Sequence, residues 1–146
     1  MTPFRFRLER VLAWRRTQLE LEDATLKKLI AGLAELDRSR AELEATAIRS
    51  EGDVRQWSPL AGHDLAALAN FRLHVRNREN DLSAQRREAL QRVEAQYRAM
   101  LEARRKCRLL ERLEQRRLAE WQAGADRELE QLAAESYLAG LVRRQS

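Results

Sequence analysis

Apolar residues recur along the first part of the chain in alternating steps of four and three, from Leu8 to Trp57, and eleven of the fifteen positions so marked are apolar. That is the seven-residue rhythm of a helix that buries one narrow stripe against a partner helix. Arg15, Glu22, Arg40 and Ser50 interrupt the stripe. A seam that tolerates polar side chains reads as a coiled coil rather than as the face of a globular core. The pattern predicts a first helix over residues 4–57, roughly 80 Å long at a rise of about 1.5 Å per residue.

Punctuation follows in Trp57-Ser58-Pro59-Leu60-Ala61-Gly62-His63-Asp64, where Pro and Gly stand close together. This places a turn at residues 58–63, with Asp64 ready to cap the next helix by accepting from backbone amides of its first turn. A second seam then runs through Leu68, Val75, Leu82, Ala89, Val93, Met100, Ala103, Cys107 and Leu110. Beyond Arg117 it drifts to Leu118, Trp121, Ala125, Leu129 and Leu132, with pairs eleven apart, which implies a local change of supercoil. The second helix is expected over residues 64–141, loosened at Gly124. A short connection makes two long helices antiparallel neighbours, so that facing positions sum to about 121. The expected fold is therefore all-α: one domain, an antiparallel coiled-coil hairpin whose longer second helix overhangs the first from residue 118 onward.

Composition agrees, since Ala, Leu, Glu, Lys and Arg supply 91 of the 146 residues, and with only two prolines and five glycines a β fold is excluded. Charged residues make up 35% and aromatics 5%, which argues against a thick core enclosing an active site. A single cysteine excludes an internal disulfide framework and a cysteine-rich zinc site, and fits a reducing compartment. No apolar run is long enough for a transmembrane helix, and the opening residues lack the apolar stretch of a signal peptide, so a soluble, unexported protein is expected.

No phosphate-binding loop, zinc-helix motif or serine-nucleophile motif is present, so no enzyme, cofactor or metal is expected. His63 and His74 read as solvated side chains, and Cys107 as a small buried thiol of the seam. The informative feature is where the basic residues collect. Residues 104–117 carry seven positive and two negative charges, and residues 4–17 carry Arg5, Arg7, Arg10, Arg15 and Arg16 against Glu9 alone. Hairpin pairing brings the two runs to one end, where Phe4, Phe6, Leu8, Val11, Leu12 and Trp14 add apolar groups. Arginine and aromatic side chains together compose an interface anchor, and concentrated charge draws an acidic partner surface with strong salt dependence. The competing reading is a solvated coiled-coil surface whose arginines pair with glutamates. A second apolar cluster, Leu68, Phe71 and Val75, lies just after the turn; most of it belongs to the seam, and Phe71, off the best register, is the candidate to face a partner.

The run Phe4-Arg5-Phe6-Arg7-Leu8-Glu9-Arg10-Val11-Leu12-Ala13-Trp14-Arg15 resembles the opening of the bacterial flagellar FliJ family, Phe-x-Phe-x-Leu-Glu-x-Leu-Leu-x-x-Arg. Glu102 to Leu113, followed by Arg116, Arg117 and Trp121, is similar to that family's Arg-Lys-x-x-Glu-Lys-Leu stretch near the far end. One departure is Glu130-Gln131, where the family has an acidic Asp-Glu pair. The resemblance implies a coiled coil like the central stalk of rotary ATP synthases, working in the cytoplasm at the flagellar base, peripheral to the inner membrane, in the type III protein export apparatus. It implies insertion of the paired termini into the export ATPase ring, promotion of ring assembly, connection to the export gate, and handling of export chaperones. On that basis Phe4, Phe6, Arg7, Arg10, Trp14, Arg104, Arg105, Arg112, Arg116 and Arg117 are the expected ring contacts, and Leu68, Phe71 and Val75 the expected gate contacts.

Other readings stay open on the residues alone. A general structural coiled coil, including the stalk of a virulence-type secretion system, would share the seam and the charge runs. A nucleic-acid-binding hairpin would use the arginines on phosphates, but they are interleaved with glutamates and accompanied by no stacking module, so no nucleic-acid partner is expected. Insertion into a membrane is not expected either, because charges flank the seam on both sides where a membrane-lying helix keeps one continuous apolar face.

Overall fold

The computed structural model describes residues 2–57 and 61–146. Two α-helices account for most of the chain: α1, Glu9–Arg55, and α2, Gly62–Gln145, of 47 and 84 residues. They pack against each other as an antiparallel coiled-coil hairpin with the second helix the longer. The direction follows from the cross-helix bonds: Arg72 reaches Glu51, Arg86 reaches Asp37 and Gln96 reaches Glu22, so α2 numbers rise as α1 numbers fall. The fold divides into two compact units, one of Met1–Glu20 with Glu102–Ser146, the other of Leu21–Leu101.

In the unit Leu21–Leu101, Leu26, Val75 and Leu82 are buried, with Met100 at its margin. The polar interruption at Glu22 is satisfied across the seam: the Gln96 side-chain amide donates to the Glu22 carboxylate and, at 3.0 Å, to its backbone carbonyl. A polar pair inside a seam is accommodated only in the register where its hydrogen bonds form, so this one selects the alignment of the helices. Arg40 does not occupy the seam; it is exposed, beside Glu44, and Ser39 takes the half-buried place. The exposed bridges Arg72–Glu51 and Arg86–Asp37, both 2.8 Å, orient the helices more than they stabilise them.

Helix α2 begins at Gly62, two residues before the expected start, and Asp64 caps it in a different role. Its carboxylate reaches back to accept from the Ala61 N–H at 3.1 Å, while the Asp64 N–H donates to the Ala61 carbonyl. Asp64 thus acts from the third helical position, the carboxylate half of a capping box, and not as the residue preceding the helix. Residues 58–60 of the expected turn lie outside the described residues.

The other unit departs most from the sequence pattern. Helix α1 starts at Glu9 and not at Phe4, and residues 2–6 form no helix. Phe4, Phe6 and Leu8 alternate with Arg5 and Arg7, a period of two that puts both aromatic rings on one side of a non-helical segment, whereas in a helix residues two apart point in different directions. Phe6 is buried with Leu12 and Cys107, and Phe4, Leu19, Leu110 and Leu113 pack around them. Phe4 meets Trp121 with ring centroids 6.1 Å apart, and the Trp121 indole N–H donates to the Thr2 carbonyl at 3.1 Å. The N-terminal segment therefore covers α2 beyond residue 118, and uncovered helix begins only after Ala125: residues 126–139 are all exposed. Helix α2 runs through Gly124 without a break and ends at Gln145, past the expected Leu141.

Full burial of a leucine side chain is worth on the order of 1.5–3 kcal/mol, and Leu12, 2% exposed, is the most deeply buried side chain of the core. Leu12→Ala is expected to lower unfolding stability by about 3 kcal/mol, and Leu21→Ala, at an exposed position, by less than about 0.5 kcal/mol. Urea unfolding followed by circular dichroism measures both; equal losses would contradict this placement of the core.

Candidate functional site

The unit built from the N-terminal segment and residues 102–146 holds fifteen basic and ten acidic residues, the other unit thirteen of each, so the whole net charge of +5 sits on the first. Three cations of the two basic runs have carboxylate partners: Arg16 with Glu111 at 3.4 Å, Arg105 with Glu102 at 3.4 Å and Arg117 with Glu120 at 3.2 Å. Arg5, Arg7, Arg10, Arg15, Arg104, Lys106, Arg108, Arg112 and Arg116 have none within 4.0 Å among the described residues. Pairing with glutamate thus absorbs a minority of the excess. Arg15 instead lies over the Trp14 ring, 4.7 Å from its centroid, an arrangement that holds a cation against an aromatic face without neutralising it.

Next to this charge is an open cleft of about 550 Å³ lined by Phe4, Arg5, Phe6, Arg7, Leu8, Leu113, Arg117 and Trp121. Its lining combines aromatic and aliphatic residues with three arginines. The alternation of residues 4–8 produces this composition, turning phenylalanines inward and leaving Arg5 and Arg7 exposed. A cleft of this kind suits a bulky apolar side chain flanked by carboxylates.

Of the expected ring contacts, Phe4, Phe6, Arg7 and Arg117 come together here. Phe6, however, is only 9% exposed and belongs to the core, so its expected role as a direct contact gives way to support of the cleft lining. Arg10, Trp14, Arg105, Arg112 and Arg116 are exposed on the same unit without lining the cleft, and Arg104 is half-buried. Arg5, Leu8, Leu113 and Trp121 were not among the expected contacts. The period-two alternation was the available signal for the first two; for Trp121 it was its place three residues after Leu118 on the drifting seam.

Of the expected gate contacts, Val75 is buried at 9% exposure and presents no side chain to a partner. Leu68 and Phe71 are half-buried. Phe71 lines two clefts of its unit, one with Val75, Arg72 and Glu51, the other with Leu68, Val54 and Trp57, and is the member of the trio accessible from both.

Cys107 is buried beside Leu12 and Phe6, with its Sγ 3.6 Å from the Glu111 carboxylate. Burial, and then the Glu111 charge and hydrogen bond, push the thiol above its ordinary pKa against the weaker opposing pull of Arg16. The thiol is therefore held neutral, and the neighbouring cations do not make it a nucleophile. Among the described residues no three His, Cys, Asp or Glu side chains come together to hold a metal ion, and no helix is long and apolar enough to cross a membrane. Compared with models of protein families, with curated proteins and with solved structures, the chain finds no match.

A thiol whose pKa is raised by folding contributes stability that is fully present below the unfolded-chain value, about 8.5, and is lost as pH rises from there toward the folded value. Stability is therefore expected to fall above about pH 8.5, and Cys107→Ala to flatten that part of the profile. Urea unfolding across this range checks it; an unchanged slope in the variant would remove Cys107 as the cause.

Proposed function

We propose that the chain is a non-enzymatic coiled-coil component of a flagellar type III protein export apparatus, a stalk-like protein that binds and activates the export ATPase ring. The observation supporting this most is the concentration of arginines, most of them without a carboxylate partner among the described residues, around an aromatic-lined cleft on the unit built from the two stretches that resemble the FliJ family. A cationic surface with an apolar recess complements acidic loops lining a ring lumen. A protein that binds the assembled ring better than its free subunits shifts assembly toward the ring by mass action, and so raises hydrolysis without contributing a reacting group. In this reading the protein works in the cytoplasm, peripheral to the inner membrane at the flagellar base. Phe71, on the other unit, contacts the export gate, and export chaperones are further partners.

Arg7, Arg112 and Arg116 are exposed and have no carboxylate partner among the described residues. Reversing all three to Glu is expected to reduce stimulation of the purified export ATPase about tenfold at physiological salt, with helix content unchanged by circular dichroism. Phe71→Ala is expected to leave stimulation intact while reducing swimming. Full stimulation by the triple variant would remove the charge-based reading, and loss of stimulation in Phe71→Ala would remove the separation of the two roles.

A further inference from the structure

From Asp126 onward α2 continues as helix with no partner among the described residues, although apolar residues persist on its seam: Leu129 and Leu132 are 62% and 59% exposed. The N-terminal segment covers the seam as far as Trp121, Ala125 is half-buried, and Leu129 and Leu132 prolong the same stripe. Twenty residues of helix, about 30 Å, gain little stability in water from propensity alone and depend on covering that stripe. Charge along the segment is segregated. Asp126, Glu128 and Glu130 lie toward its start with only Arg127 among them, Glu135 lies at its middle, and Arg143 and Arg144 lie at its end.

We infer that a second copy of this chain covers the segment, the two α2 tails pairing antiparallel. An acidic start and a basic end are self-complementary in that orientation and repel when parallel. With the two Ser136 positions meeting at the two-fold axis, Leu132 of each chain lies over Gly140 of the other. On the same flank, Arg144 falls between Asp126 and Glu130 of the second copy. Gly140 is compatible with the alignment: a Cβ there would meet nothing within 4 Å, as at the other glycines. In the pair, the missing side chain gives room to the opposing leucine. One helix from each chain makes a small interface, so the dimer is reversible and dependent on concentration. This inference stands apart from the export reading, since it concerns helix beyond the cleft and is tested with no ATPase present.

Sedimentation velocity over a wide concentration range tests it with three proteins: the natural chain, an Asp126→Arg/Glu130→Arg variant and an Arg143→Glu/Arg144→Glu variant. The natural chain is expected to pass from monomer to dimer. Each variant is expected to raise the dissociation constant at least about tenfold with unchanged helix content, and their equimolar mixture to recover a heterodimer in which both ends attract. A natural chain monomeric throughout, dimers that survive both reversals, or a mixture that fails to recover would each overturn the antiparallel pairing.

Discussion

A helix whose apolar residues form a stripe is stable over the length for which something covers that stripe, and this constraint organises the whole chain. With 35% of its residues charged, the protein has no material for a layered core. It buries one row of side chains between two helices, and where α1 has not yet begun, a non-helical segment takes over the covering. Phe6 and Leu12 do in the N-terminal unit what Leu26 and Leu82 do in the other. The aromatic cleft arises because the covering segment alternates, so that one set of side chains packs while the arginines between them remain in water.

The same economy shapes the electrostatics. Cross-helix ion pairs are sparse and exposed, so they set direction and register without neutralising the surface. In the unit Leu21–Leu101 acidic and basic residues balance, and charge there serves helix pairing and solubility. In the other unit the balance is broken, and most cations of the two basic runs have no carboxylate beside them among the described residues. Charge that folding leaves uncompensated is available to a partner, which is why this unit, and not the evenly charged one, is the candidate for binding an acidic surface.

Much of this was legible in the residues. The seam positions read from the seven-residue rhythm between Leu12 and Val54 are buried or half-buried with the exception of Arg40, as are those of the second helix from Leu68 to Leu110, Cys107 among them. Periodicity reports burial directly, because a stripe buried pairwise leaves no other signal to confuse it. The failures occur where a second period or a local polar bond competes. Phe4, Phe6 and Leu8 follow a period of two, so extending the helix back to Phe4 misplaced them. Asp64 suits a cap in two positions, and the backbone selected the third residue of the helix. Phe6 and Val75 have the apolar character of contacts, but residue type does not distinguish an anchor for a partner from a side chain that the fold itself consumes.

Arginines about a hundred positions apart share one compact unit within a single molecule. The most direct measurement is the distance between spin labels at Arg7→Cys and Arg116→Cys in a Cys107→Ala background, by pulsed electron resonance, with and without dilution by unlabelled chain. The expected result is one narrow, short distance that dilution leaves unchanged. A long or broad distribution, or a short distance that disappears on dilution, would contradict it.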